Sequence, residues 1–208
     1  MIKRCQVAAF VIGCALQSCQ LLPDVLPVQS PDEEVQAPDI VNGPAKAITI
    51  YSIREGAHYA DSNPFMRVQT NTLRFAATFD STAIYSTLDP ANQGDINKLY
   101  GLSDCSSDHH TNSARFGWRW YEGKLELHAY VYQNKVRKSA YVTDVVLGEA
   151  TVCGIKLEEG QYVFTAGGQT VLLPRGCNGM GEGYQLYPYF GGDEAAPHPI
   201  TIAIQELP

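Results

Sequence analysis

Between Asn112 and Gln133 the chain alternates apolar and polar positions almost without a break, as NSARFGWRWYEGKLELHAYVYQ. An alternation of period two sends successive side chains to opposite faces of a strand. Ala114, Phe116, Trp118 and Trp120 then share one face, and Ser113, Arg115, Gly117 and Arg119 share the other. In the continuation Leu125, Leu127, Ala129 and Val131 lie opposite Lys124, Glu126, His128, Tyr130 and Tyr132. Glu122-Gly123 between the runs fits a two-residue hairpin loop, and such a loop pairs Tyr121 with Lys124. The remaining register follows: Arg119 faces Glu126, Gly117 faces His128, Arg115 faces Tyr130, and Ser113 faces Tyr132. The apolar face, both tryptophans included, is predicted core. The other carries cations, phenols, an imidazole and a hydroxyl at cross-strand contact distance. It reads as either a solvated sheet surface or a binding groove, with Arg119–Glu126 a structural ion pair.

Further β-rich or alternating runs occur at 47–53, 72–79, 82–86, 139–147, 162–165, 170–173, 184–190 and 200–206. A short helix is predicted at 92–99, inside a long polar loop at 87–111. Many short strands separated by turns predict an all-β antiparallel sandwich or barrel as one domain over 47–208.

The N-terminus has a different character. Lys3 and Arg4 precede an apolar run that is too short to span a bilayer, and Leu16-Gln17-Ser18-Cys19 closes it. This predicts a lipoprotein signal at 1–19, with Cys19 the lipidated residue; an ordinary secretory signal is the competing reading. Residues 20–46 carry Pro23, Pro27, Pro31, Pro38 and Pro44 among acidic residues, which predicts an extended tether. The expected address is the bacterial cell envelope, as an outer-membrane lipoprotein held to the membrane by its lipid.

The net charge of the whole chain is −7, and loss of Lys3 and Arg4 with the signal makes it more negative still. A nucleic-acid partner is therefore excluded, because it requires a basic footprint. Of the six cysteines, Cys105, Cys153 and Cys177 fall in the domain. Export permits a disulfide, and Cys153–Cys177 is the expected pair because Cys105 sits apart in a polar loop. No cysteine or histidine spacing points to zinc. Asp104, Asp108, His109 and His110 offer metal-ligand chemistry but read better as a polar loop. Asp80, Asp95 and Asp193 are candidates for a structural calcium; no other cofactor is expected.

Two segments flank the hairpin: Lys98-Leu99-Tyr100-Gly101 upstream, and Phe190-Gly191-Gly192-Asp193 downstream. Taken in order with Ser113-x-Arg115 and Tyr130-x-Tyr132, they resemble the alginate-lyase-like polysaccharide lyases. The N-terminal organisation is similar to that of lipoproteins from Bacteroidetes-like bacteria. The resemblance to the lyases implies a concanavalin-like jelly-roll sandwich of two antiparallel sheets with a substrate groove on the concave one. It also implies catalytic positions at Lys98, Ser113, Arg115, Tyr130 and Tyr132.

The residue types suit that chemistry. β-Elimination on a uronate needs a charge that stabilises the enolate, a base for the C5 proton and a donor to the leaving oxygen. Arg115 fits the first role by pairing with the carboxylate, Lys98 or Tyr130 the second, and Tyr132 the third, with Ser113 orienting one of them. His128, Tyr187 and Tyr189 are candidates for contacts to sugar. The expected partner is a uronate-containing polysaccharide. A glycan-binding accessory and a structural lipoprotein with an outer-membrane protein partner stand as rival readings, because fold alone does not choose among them.

Overall fold

In the computed structural model the described residues are 45–208. The expected signal at 1–19, Cys19 and nearly all of the 20–46 segment lie outside them. The strands are β1 (Thr49–Ile53), β2 (Arg67–Thr70), β3 (Thr72–Phe79), β4 (Asn97–Ser103), β5 (Ser113–Tyr121) and β6 (Lys124–Gln133). They continue as β7 (Val136–Val145), β8 (Thr151–Glu158), β9 (Gln161–Ala166), β10 (Gln169–Pro174), β11 (Gly181–Leu186) and β12 (Ile200–Leu207). All pair antiparallel in two six-stranded sheets, ordered β1-β12-β3-β8-β9-β10 and β2-β11-β4-β5-β6-β7. This is the jelly-roll sandwich expected from the sequence.

The core forms where the inward faces meet. Phe75 on β3 packs edge-on to Phe116 on β5 at 5.8 Å, Phe116 meets Phe164 on β9 at 5.3 Å, and Phe79 meets Trp118 at 5.3 Å. All five side chains are buried. Truncating any one of them to alanine costs roughly 3–5 kcal/mol, the usual penalty for deleting a buried aromatic. Trp120 is only partly buried and packs against the edge of this core.

The β5–β6 hairpin has the predicted register at every position from Tyr121–Lys124 to Ser113–Tyr132. Glu122 and Gly123 both take positive φ, as a primed turn demands.

Other expectations need correction. The predicted helix at 92–99 is a 3-10 turn at Pro90–Gly94 followed by β4, so the long loop at 87–111 contains a central strand. Asp89 caps the turn and Pro90 opens it, but the chain then runs along β5, and strand pairing overrides the local signal. The run at 82–86 is not a strand; Asp80 caps a 3-10 turn there, its carboxylate accepting from the amide of Thr82. Strands β2 and β8 went unrecognised, β2 being short and polar. The run at 184–190 ends as a strand at Leu186, ahead of Pro188.

The disulfide is Cys105–Cys177, not Cys153–Cys177. Cys153 is a free thiol buried on the inward face of β8, where burial raises its pKa. The polar loop after β4 folds back so that Ser106 donates its amide to the Glu182 carbonyl, which carries Cys105 to the segment ahead of β11. Beneath the disulfide, Arg175 donates from Nε to Asp104 at 2.7 Å, and Tyr162 donates its hydroxyl to the same carboxylate at 2.8 Å.

Candidate active site in the groove

At β5 and β6 the outer face of the second sheet is not bathed in solvent. Arg115 is 7% exposed, His128 5% and Tyr130 4%, because loops cover the strands. Between those loops lies a trough of about 380 Å³, lined among others by Lys98, Arg115, Tyr130, Tyr132, Tyr187 and Tyr189. The solvated-sheet reading of the hairpin therefore gives way to the groove.

A β-bulge brings Lys98 to this face. The register Gly101–Arg115, if continued, would set Lys98 opposite the inward-facing Trp118. The bulge between Lys98 and Gly101 shifts the pairing by one, so that Lys98 faces Gly117 and its side chain turns to the groove. The Lys98 ammonium donates to the Gly191 carbonyl at 2.6 Å and stands 5.5 Å from the ring centroids of both Tyr130 and Tyr189. Gly191 has φ +97°, and a Cβ there would lie 2.1 Å from the Glu194 carbonyl, so this lysine partner requires glycine. Gly101 is equally constrained, since a Cβ would fall 2.4 Å from the Arg115 Cα.

Arg115 is the unusual group. Among the described residues it has no ion pair, and its buried Nε has no hydrogen-bond partner. Its guanidinium lies 5.4 Å from the centroid of the Tyr130 ring. Burial lowers its pKa, and the phenols of Tyr130, Tyr132, Tyr184 and Tyr189 oppose that shift. Lys98 is pushed down to about 8, first by burial and then by the positive charge of Arg115. Tyr130 moves the other way: burial raises its pKa, so its hydroxyl keeps its proton near neutrality.

Aromatic rings build both walls. On one side Tyr189 stacks on His58 at 5.3 Å and meets the exposed Tyr59 edge-on at 4.9 Å. On the other, Tyr184, His109, His110 and Tyr132 follow one another in contact, and Tyr130 meets Tyr132 at 6.1 Å. Tyr187 is half-buried against Tyr51 and Tyr100, with one edge on the trough.

Two expected site residues stand apart. Ser113 is buried and donates its hydroxyl to the His109 carbonyl at 2.7 Å, so it braces the loop carrying His109 and His110. His128 lies outside the trough lining, and its Nε2 is 2.9 Å from a Glu126 oxygen that also accepts from Arg119. Tyr59, Phe65, His109 and Tyr184 line the trough and were not singled out for contacts to sugar. Tyr59 and Phe65 sit in an irregular segment without periodicity, and the sequence around His109 offers a metal-ligand reading rather than a sugar contact. Asp104 is occupied by Arg175, away from Asp108 and the histidines. Asp95 accepts from the Asp193 amide, and Asp80 is spent on its own turn.

No protein-family model matches the chain, and no curated protein matches it either. Solved structures do. The alginate lyase AlyC3 superposes with a TM-score of 0.54 at 9% identity, over 74% of this chain and 71% of that one. The catalytic domain of aly-SJ02, from polysaccharide lyase family 18, gives 0.48 at 8% identity, over 82% and 90%. The laminarinase catalytic domain from Thermotoga maritima MSB8 gives 0.45 at 9% identity, over 78% of each chain. At such identities the shared feature is the fold, a jelly-roll sandwich of two antiparallel sheets.

Proposed function

We propose that the groove binds an acidic polysaccharide and cleaves it by β-elimination at a uronate unit. The observation that carries this reading is Arg115, a buried guanidinium without a protein anion. Burying an uncompensated charge is costly, and a ligand carboxylate is the natural partner. The superposition on an alginate lyase agrees with it.

The roles follow from the electrostatics. Arg115 takes the uronate carboxylate and holds charge where the enolate develops. Lys98, with a pKa of about 8, is neutral often enough near neutral pH to accept the C5 proton. The C–H electron pair becomes the ring double bond, and the glycosidic C4–O bond breaks. Tyr130 or Tyr132 gives the leaving oxygen its proton, and Tyr130 suits this because burial keeps it protonated. Ser113 acts at one remove, through the His109 loop.

The Cys105–Cys177 disulfide supports residence in an oxidising compartment. Together with the N-terminal pattern it favours an envelope lipoprotein anchored through Cys19. Incorporation of labelled palmitate, lost in Cys19→Ala, tests the anchor.

The test of the activity is an ultraviolet assay for unsaturated uronate across a panel of polyuronates, with Tyr130→Phe and Arg115→Gln as controls. Product formed by the native chain and lost in both variants supports cleavage. Binding without product from any substrate moves the assignment to a glycan-binding accessory, the role that the Tyr59–Tyr189 pair would also serve.

A further inference from the structure

The trough does not stop at its own wall. Phe65 and Tyr184, whose ring centroids are 5.6 Å apart, close one end of it and also open a neighbouring hollow. That hollow lies over the edge strand β2 and is lined by Arg67, Gln69, Ser106 and Glu182. Arg67 pairs directly across the ladder with Tyr184, so both side chains stand on the same sheet face. Arg67 is exposed and has no ion pair among the described residues. Glu182, by contrast, is held in place, accepting from Gln69 at 2.9 Å and from the Ser106 hydroxyl at 3.0 Å.

We propose that this hollow is a second binding site, which takes another acidic sugar unit of the polymer held at Arg115. The inference rests on the acidic-polysaccharide reading of the groove. Three chemistries that one such unit needs stand side by side here. Arg67 meets the carboxylate, the Gln69–Glu182 pair exchanges hydrogen bonds with hydroxyls, and Phe65 and Tyr184 offer ring faces. The position suits a polymer. Three strand spacings separate β2 from β5, about 14 Å at the usual spacing, which is more than one sugar unit. Across the ladder Arg115 aligns with Gly101 and Leu186, and Arg67 with Tyr184 two residues further along β11, so a chain crossing the strands obliquely passes from Arg115, over Tyr184, to Arg67. Ligands too short to reach Arg67 forgo that contact.

Calorimetric titration tests this on a Tyr130→Phe background, which suppresses turnover. The probes are di- and hexasaccharides of mannuronate, guluronate, glucuronate and galacturonate. Expected is a series whose hexasaccharide binds more tightly than its disaccharide. Arg67→Gln should weaken the hexasaccharide about five- to tenfold, the scale of one charge-assisted hydrogen bond, and bring the two affinities together. Lys156→Gln, which removes a cation from the other sheet, should leave the difference intact. If Arg67→Gln keeps the full difference while Arg115→Gln abolishes binding, the second site is overturned and the groove reading stands. If no uronate series binds at all, both are overturned.

Discussion

Arg115 on β5 lies directly opposite Tyr130 on β6, with its guanidinium carbon 5.4 Å from the centroid of that ring. The phenol ring offers a polarised face but no negative charge, so the arginine is sheltered without being neutralised. This arrangement is poor for stability and good for holding an anion.

Arg115→Met therefore separates the two effects. Activity on a polyuronate should fall by about 10²–10³ in kcat/KM, as for the loss of one preorganised electrostatic contact. Stability should rise by about 1–3 kcal/mol, since a buried unpaired cation is replaced by an apolar chain of similar length. Urea unfolding monitored by tryptophan fluorescence, run beside the rate assay, checks both; a destabilised variant would mean that Arg115 has a structural role.

Lys98 makes the rate depend on pH. Its folded pKa of about 8 lies below the ordinary lysine value of 10.5, so the neutral base accumulates as pH rises. kcat/KM should climb with pH and level off above about 8. The stability effect has the same sign. The unfolded chain binds the extra proton between about 8 and 10.5, so the penalty of charged Lys98 is complete below pH 8 and fades as pH rises toward 10.5. Because Arg115 contributes to the depression, Arg115→Gln should move the Lys98 titration, followed by NMR of its side chain, back toward 10.5.

The disulfide joins residues 72 apart in sequence. Cys105→Ser or Cys177→Ser should lower stability by about 2–5 kcal/mol, while Cys153→Ser leaves the response to dithiothreitol unchanged. Peptide mapping without reduction should recover Cys105 linked to Cys177. A peptide carrying Cys153 in a disulfide would contradict the pairing.

Asp104 and Arg175 are both fully buried and bonded to each other, with Tyr162 completing the shell. Removing either partner alone leaves an uncompensated buried charge. Asp104→Asn or Arg175→Gln should each cost about 3–5 kcal/mol, and the double variant less than the two together. Thermal melts of the four proteins make that double-mutant cycle.

The hairpin was legible in the sequence because period-two alternation and a Glu-Gly turn leave one register open. The same logic gave an antiparallel sandwich or barrel, and the resemblance of the flanking motifs chose the sandwich. Alternation did not reach β4, where a capped turn with a proline signals helix while the ladder to β5 decides strand. The disulfide was misread for a related reason, since closeness in sequence says little about which loops fold back on one another.

The sequence by itself determined the two faces of β5 and β6, and hence that Arg115 and Tyr130 would meet. Whether that polar face was wet or enclosed depended on segments outside the hairpin, some of them far away in the chain, and Arg115 is left only 7% exposed. The place of Lys98 hung on a single bulge, since one residue of slip carries a side chain from core to groove. Ser113 shared the strand face of Arg115 and yet turned to brace a loop, because a short hydroxyl bonds the nearest free carbonyl. Local alternation fixes which way a side chain points; only the packing of distant segments decides what it finds there.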